Sequence, residues 1–322
     1  MEENKYRLVT KADFDGLACG VLLKEINLID SIKFSHPKDL ETGKVVITEK
    51  DITAGLPYKE SAHLAFDYYP GSLKSEGRKD NLVVDVNMPS TSRVIYNYFE
   101  SSKFVNIQKD MLDAVDKGFS ANISRDEILY PTGWILLNYL VDQRTGLENF
   151  GKFAVTHNDY ILKLVDSCKN NTIWDILNTP DVEERLNLYF PTIEKCMSQI
   201  IRCSTVHYNL VVTDLRNEKI VYPGNRFIVY AMFPECNVSL QITAEKTPDN
   251  NKKTIFVIGK SITDRSFSKD IGVIMRKHGG GGHSNAGSCQ SKGDDADRVL
   301  DALITELKYT LFKNLFMGYF NY

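Results

Sequence analysis

Along the first hundred residues, short apolar runs alternate with segments whose apolar positions recur at helical spacing. Residues 6–10 predict a strand, and Leu17, Val21, Leu22, Leu28 and Ile29 predict a helix over about 17–28. Further strands are predicted at 32–35, 45–48, 64–66 and 82–86, and Pro89 lies near a helix start whose body is 94–99. This is the βαβ rhythm of a parallel or mixed sheet covered by helices. From Asp110 to about Cys203 the pattern turns almost wholly helical, most clearly over 111–117, 131–141, 161–168 and 182–202. A fresh strand is predicted at 206–213, then a polar turn at 214–218 and a returning strand at 219–222. Strands at 238–243 and 254–258 flank the turn Pro248-Asp249-Asn250-Asn251, and helices are predicted at 271–277 and 294–311. The chain reads as α/β in two parts: an N-terminal domain over 1–195, a helical linker over 196–205, and a smaller α/β domain over 206–322.

Composition changes this picture little. With 322 residues, 43% of them hydrophobic and 25% charged, the chain has the make-up of an ordinary globular protein. A formal charge of −3 gives no general attraction to nucleic-acid backbone or anionic lipid, so any such contact is local. No run approaches the ~18 apolar residues of a membrane span. The start, Met1-Glu2-Glu3-Asn4-Lys5, lacks a basic-then-apolar signal pattern. Cys19, Cys168, Cys196, Cys203, Cys236 and Cys289 form no C-x-x-C pair, which argues against a zinc site and a disulfide framework and for a cytoplasmic protein with reduced thiols.

Two constellations carry candidate chemistry. The first is Thr10-Lys11-Ala12-Asp13-Phe14-Asp15-Gly16, two carboxylates between an apolar strand and a helix. Strand carboxyl ends form the ligand crevice of a parallel sheet, and neighbouring acids there suit Mg²⁺ or Mn²⁺. By spacing alone, a helix-capping Asp beside a solvated neighbour explains the pair at least as well. The second is Gly279-Gly280-Gly281-Gly282-His283, preceded by Arg276, Lys277 and His278. Four consecutive glycines sacrifice backbone entropy that an ordinary loop keeps, and they let backbone N–H groups approach a phosphate closely. Asp51 and Asp67 follow predicted strands and are further candidates, though an acid in such a place is, taken singly, more often a cap or turn residue. His36, His63, His157 and His207 show no ligand spacing and read as structural or surface residues.

These residues resemble the DHH superfamily of phosphoesterases, in its bacterial exopolyphosphatase-like branch. Thr10 to Gly16 resembles the first family motif, Lys50-Asp51-Ile52-Thr53-Ala54-Gly55-Leu56-Pro57-Tyr58 the second, and Phe66-Asp67-Tyr68-Tyr69 the motif that names the family. Ala114 to Ala121 resembles the fourth motif and Asp142-Gln143-Arg144-Thr145-Gly146-Leu147 a branch-specific segment. His278 to Gly287, with Cys289-Gln290 behind, is similar to the glycine-rich signature of the DHH-associated C-terminal domain. The resemblance implies a DHH-type domain with a βαβ sheet and a helical part, followed by a DHH-associated substrate-binding domain. It implies one or two Mn²⁺ or Mg²⁺ ions whose bound water attacks phosphorus. Asp13, Asp15, Asp51 and Asp67 would be the catalytic metal ligands. Arg276, His278, Gly279, Gly280, Gly281, Gly282 and His283 would hold the substrate phosphate.

The chain also departs from the family pattern. Tyr68 and Tyr69 stand where the family has histidines, Lys11 where much of it has a histidine, and Phe119 where the fourth motif has an acid, with Asp116 nearby. A phenol with pKa ~10 is a poor ligand for Mn²⁺. A lysine beside Asp13 and Asp15 competes with a metal for their charge. Losing one positioned group typically costs ~10²–10³ in rate. The leading expectation is therefore a DHH-type protein with a degenerate metal centre, holding one ion or none, that binds a nucleotide or short oligonucleotide with little hydrolysis. The alternatives are an active Mn- or Mg-dependent phosphodiesterase or exopolyphosphatase-like hydrolase, and a scaffolding protein that reuses the fold. The tail from Leu307 to Tyr322 carries seven aromatic or Met residues in sixteen. It reads either as a docked helix or as a surface for a protein partner, and a homodimer is open as well.

Overall fold

The apolar runs of the first part pair into one parallel sheet. The computed structural model describes residues 5–69, 79–246, 252–292 and 295–308. Its contacts divide the chain into two units: residues up to 123 together with 130–189, and 124–129 together with residues from 190 onward.

In the first unit, strands β1 (Tyr6–Thr10), β2 (Ile29–Phe34), β3 (Asp51–Ala54), β4 (Leu64–Asp67) and β5 (Leu82–Val84) lie in the order β2-β1-β3-β4-β5. Each neighbouring pair is parallel, with Leu8 opposite both Ile32 and Ile52, and Ala65 opposite Leu82. The chain leaves β1 toward β2 and returns on the other side to β3. That reversal is a topological switch point, where the carboxyl ends of the strands open a crevice. Helix α1 (Phe14–Glu25) is buried continuously from Phe14 to Leu23 because its sequence is apolar on nearly every face. It begins three residues before the predicted start because Asp13 caps it, and it ends before Asn27, whose φ is +58°. Helices α2 (Pro37–Glu41), α3 (Thr91–Tyr98) and α4 (Lys109–Ser120) follow. Helix α5 (Arg125–Leu129) belongs to the second unit, where Arg125 Nε donates to Ala231 O at 2.8 Å and Asn225 Nδ2 to Ile128 O at 3.2 Å. The helical part comprises α6 (Gly133–Val141), α7 (Leu147–Phe150), α8 (His157–Asn170), α9 (Ile173–Leu177) and α10 (Pro180–Cys203). The division between units falls within α10, beside Pro191. The segment expected as a linker, 196–205, is the end of α10 and the start of the next strand.

The second unit contains β6 (Ser204–His207), β7 (Leu210–Asp214), α11 (Ile228–Met232), β8 (Val238–Lys246), β9 (Lys252–Lys260), α12 (Ile271–Lys277), β10 (Gly281–His283), β11 (Ala286–Lys292) and α13 (Asp295–Lys308). Its six-stranded sheet has the order β10-β11-β9-β8-β7-β6, antiparallel except between β7 and β8. Alternating inward residues Leu240, Ile242, Phe256 and Ile258 bury against Ile271 and Met275 of α12 and Leu303 and Leu307 of α13.

Three predicted strands take other forms. Residues 45–48 bury Val45 and Ile47 beside Leu40 and Leu56, yet they join no ladder. The sheet instead begins at Asp51, so the acid opens strand β3 rather than following a strand. The run 206–213 is a hairpin of β6 and β7, because Tyr208 adopts φ +59° and reverses the chain. Residues 219–222 form a loop pinned to helix α10. Buried Gln199 donates to Ile220 O at 2.7 Å and to Glu218 Oε2 at 2.7 Å, and its Oε1 accepts from the Tyr222 amide at 3.1 Å. The predicted turn at 248–251 and the aromatic residues 309–322 lie outside the described residues. Among the described residues no helix is long and apolar enough to cross a membrane. Gln199→Ala is expected to cost about 1–2 kcal/mol in urea unfolding and to speed hydrogen exchange at the Tyr222 amide selectively; an unchanged exchange rate there contradicts the pinning.

Candidate active site

The carboxyl ends of β1, β3 and β4 bring Lys11, Asp13, Gly55 and Asp67 to one edge of the parallel sheet. The turn after β1 is tight. A Cβ at Gly16 would lie 2.0 Å from Lys11 O, so only glycine lets the chain fold back into α1 there. Asp13 caps that helix, its Oδ1 accepting from the Gly16 amide at 2.9 Å, while its Oδ2 faces Lys11 Nζ at 3.6 Å. The capping reading of Asp13 is thus realised, and its second oxygen points to the lysine.

Asp15 is no solvated neighbour. It is 1% exposed, and its two oxygens accept from the Thr91 and Ser92 amides at 3.0 and 2.8 Å. Those amides open helix α3, where the unpaired N–H groups and the positive end of the helix dipole receive a buried carboxylate. Burial first, and then the Asp13 charge, push the Asp15 carboxyl above its ordinary range against the lowering effect of the Ser92 amide. Asp116 is likewise committed, accepting from Ser90 Oγ at 2.6 Å and Arg93 Nε at 2.7 Å.

Asp51 stands at the opposite end of the sheet. It pairs in register with Arg7, whereas the strand's carboxyl end is Ala54, opposite Thr10. Arg7 Nε and Nη2 reach its two oxygens at 2.6 and 3.0 Å, and the Thr48 amide adds a bond at 2.8 Å. Burial works against the charged form. Arg7 and Thr48 outweigh it and hold the carboxyl below the usual aspartate range. The structure therefore does not bring Asp51 together with Asp13 and Asp67.

Asp67 ends β4, and its Oδ1 accepts from the Tyr68 and Tyr69 amides at 2.8 and 3.2 Å. The Tyr68 ring meets Phe119 edge-on at 6.4 Å, and burial and then Asp15 raise its hydroxyl above the ordinary tyrosine value, so it is a neutral phenol. Lys11 lies 5.8 Å from the Phe119 ring centre. Burial works against its charge, but Asp13 and Asp15 outweigh burial and keep the amine above the usual lysine range. Arg144 donates to Asp142 Oδ1 at 2.7 Å and senses Asp13 and Tyr68 electrostatically.

Beside Ala12 lies a chain of contacts that sequence spacing could not reveal. His157 Nε2 lies 3.1 Å from Ala12 O, between Lys11 and Asp13, and its Nδ1 lies 3.4 Å from Glu148 Oε1. Glu148 Oε1 accepts from Arg185 Nε at 2.7 Å, and the fully buried guanidinium sits 3.7 and 4.3 Å from the Tyr160 and Phe153 rings. A cavity of about 440 Å³ opens beside it, lined by Gln143, Glu148, Phe153 and His157 among others. His157 contacts a backbone carbonyl 145 residues earlier, which leaves no local signature. His36 caps α2 and His63 stacks on Tyr6 at 3.9 Å.

In the second unit, the four glycines close helix α12 and enter the edge strand β10, with Gly280 and Gly282 tight against β11 and Gly279 and Gly281 open. Gly279, with φ +72°, closes α12, and the Gly280 amide returns to Met275 O at 2.9 Å. A Cβ at Gly280 would lie 2.1 Å from Ser288 O, because β10 lies tightly on β11. Strand β10 is a sheet edge, so one row of its backbone groups faces away from the ladder. Arg276 and His283 are exposed; His283 Nδ1 accepts from the Asn285 amide at 3.3 Å, and His278 Nε2 lies 3.9 Å from Glu306 Oε2.

The chemistry of the donor set bears on whether a pair of ions fits here. Asp15 is consumed by α3, Asp51 is at the other end, and Tyr68 is a neutral phenol, while Lys11 adds a positive charge beside Asp13. Among the described residues no group of three or more His, Cys, Asp or Glu side chains is arranged to hold an ion. These residues do not fit a paired-cation centre.

No family model matches the chain, and no curated protein does. Among solved structures it is similar to a pGpG-specific phosphodiesterase, PggH from Vibrio cholerae, with 46% identity and a TM-score of 0.86 over 94% of this chain and 99% of that one. Complexes of RecJ from Thermus thermophilus with Mn²⁺ and Mg²⁺ resemble it distantly, at 12% and 13% identity and TM-scores of 0.43 and 0.40. They cover 94% of this chain and 52% and 50% of theirs, and a likeness of that degree supports no conclusion about chemistry.

Asp15→Ala is expected to cost about 2–3 kcal/mol in urea unfolding by stripping two buried amides of their acceptor; a loss below about 0.5 kcal/mol contradicts the anchoring role. Asp51 gives an acid signature. Its carboxyl is depressed in the folded state, so its contribution is complete above the unfolded value near pH ~4 and is lost as pH falls through the lower folded one. Melting curves between about pH 5 and pH 2 should therefore fall less steeply for Asp51→Asn than for the parent, and parallel falls exclude the pair as their source.

Proposed function

The chain belongs to the DHH superfamily of phosphoesterases, and we propose that within it this protein is a phosphodiesterase-type enzyme for short linear dinucleotides bearing a 5′-phosphate, pGpG among them. The observation that carries this reading is 46% identity spread over 94% of the chain to an enzyme described as specific for pGpG, with a TM-score of 0.86. Water would add across the internucleotide P–O bond, one nucleotide leaving with a free hydroxyl and the other keeping the phosphate.

Roles at the sheet edge follow from chemistry. Asp13 and Asp67 are the carboxylates that reach this edge and would orient the attacking water and take its proton. The Arg144 guanidinium suits a phosphate oxygen in a planar fork. In the second unit, the outward backbone groups of β10 with Arg276 and His283 offer a second set of phosphate contacts. The superfamily's divalent metal would supply a bound hydroxide, but the donor set argues against a pair of ions, and no step is assigned to one.

Binding with little turnover is the second reading, favoured by Lys11, Tyr68 and Phe119 at positions where the family carries metal ligands. Purified chain incubated with pGpG in Mn²⁺, Mg²⁺ or EDTA, with products separated by anion-exchange chromatography, tests both. GMP release that falls about 100-fold or more in Asp67→Asn and in Asp13→Asn, and that is slower for GpG without its 5′-phosphate, supports the enzyme. Saturable binding without GMP selects the second reading, and neither binding nor release overturns both.

A further inference from the structure

The crevice edge of the parallel sheet already contains a cation. Lys11 Nζ lies 3.6 Å from Asp13 Oδ2, and the charges of Asp15 and Asp67 and the Tyr68 hydroxyl also act on it. Three positions at which the chain departs from its family meet in one contact cluster. The Lys11 ammonium stands 5.8 Å from the Phe119 ring centre, and Tyr68 meets the same ring edge-on at 6.4 Å. An aromatic face beneath an ammonium is an attractive seat for it and offers no lone pair to a metal. The lysine stem has room because residue 55 is glycine: a Cβ there would lie 3.3 Å from Lys11 Cε and 3.7 Å from its Nζ. On the same spot stands Thr91 Oγ1, 3.1 Å from that Cβ position, a buried hydroxyl with no hydrogen-bond partner among the described residues.

We propose that Lys11 takes the place of a divalent ion at this edge, balancing Asp13 and Asp67 and meeting the nucleotide phosphate directly, so that ligand binding here does not depend on metal. The proposal rests on the dinucleotide reading of the site for the identity of the ligand, though not for the lysine's competition with metal. An ion entering between Asp13 and Asp67 would face a like charge within a few ångströms, with Phe119 and a neutral phenol in place of further ligands. A phosphate oxygen entering the same space instead gains a charge-assisted bond from the ammonium.

The test uses the full chain, with Lys11→Gln and Lys11→Met, which keep the stem and remove the charge. Mn²⁺ uptake is followed by electron paramagnetic resonance, and pGpG binding by calorimetry in EDTA and in Mn²⁺. The parent is expected to bind pGpG equally well in both solutions. The variants should lose about tenfold or more of that affinity in EDTA and take up Mn²⁺ about tenfold more tightly than the parent. A parent that binds pGpG only with Mn²⁺, or takes up Mn²⁺ stoichiometrically and as tightly as the variants, overturns the proposal. If pGpG is not bound at all, the dinucleotide reading fails by itself and the Mn²⁺ arms still decide the role of Lys11. Should neither variant fold, the parent's Mn²⁺ titration and its EDTA comparison decide it.

Discussion

A carboxylate with almost no access to water, Asp15, is received by the first two amides of helix α3, and the geometry of the sheet edge descends from that contact. Removing such a group from water costs several kcal/mol unless every lone pair is answered, and a helix N-terminus answers it with oriented N–H groups and favourable dipole charge. The bond fixes α3 against the start of α1. Ser90 and Arg93 then carry the constraint to α4 through Asp116. Lys11 and Asp13, four and two residues from Asp15, inherit their positions from this brace. One of the four acids expected as metal ligands thus builds the frame of the site.

Much of the architecture was legible. The switch from alternating to helical periodicity near Asp110 marks the end of the parallel sheet and the start of the helical part, because apolar spacing records which face of each element is buried. Periodicity is silent on pairing. Residues 45–48 alternate buried and exposed as a strand would, with Val46 68% exposed between buried Val45 and Ile47, but the ladder starts later. That displacement carried Asp51 with it: an acid thought to follow a strand opens one instead, at the far end of the sheet from the crevice. The hairpin at Tyr208 was hidden because a bulky residue took the left-handed turn conformation usually left to glycine or asparagine.

The site was legible as a set of positions and illegible as a set of partners. The motif order placed Asp13 after strand β1 and Asp67 at the end of β4, and the carboxyl ends of these strands lie on one edge of the sheet with β3 between them. Whether a carboxylate is consumed by protein amides depends on contacts such as Asp15 with Thr91, some 76 residues apart. His157, read as a structural or surface residue, gave no sign of its contact with Ala12 for the same reason. The glycine run illustrates a second limit, since unoccupied space reads the same in sequence whether it admits a ligand or another strand. Here Gly280 makes way for the Ser288 carbonyl.

Gly16 has an implication for reading activity from a sequence. Its hydrogen side chain is imposed by the Lys11 carbonyl 2.0 Å away from where a methyl would stand, a matter of chain closure and not of turnover. Chain closure demands glycine at 16 whether or not the neighbouring site turns over a substrate, so the residue by itself says nothing about activity. The side chains that would set the chemistry of this edge are Lys11, Tyr68 and Phe119 instead, which meet in one cluster.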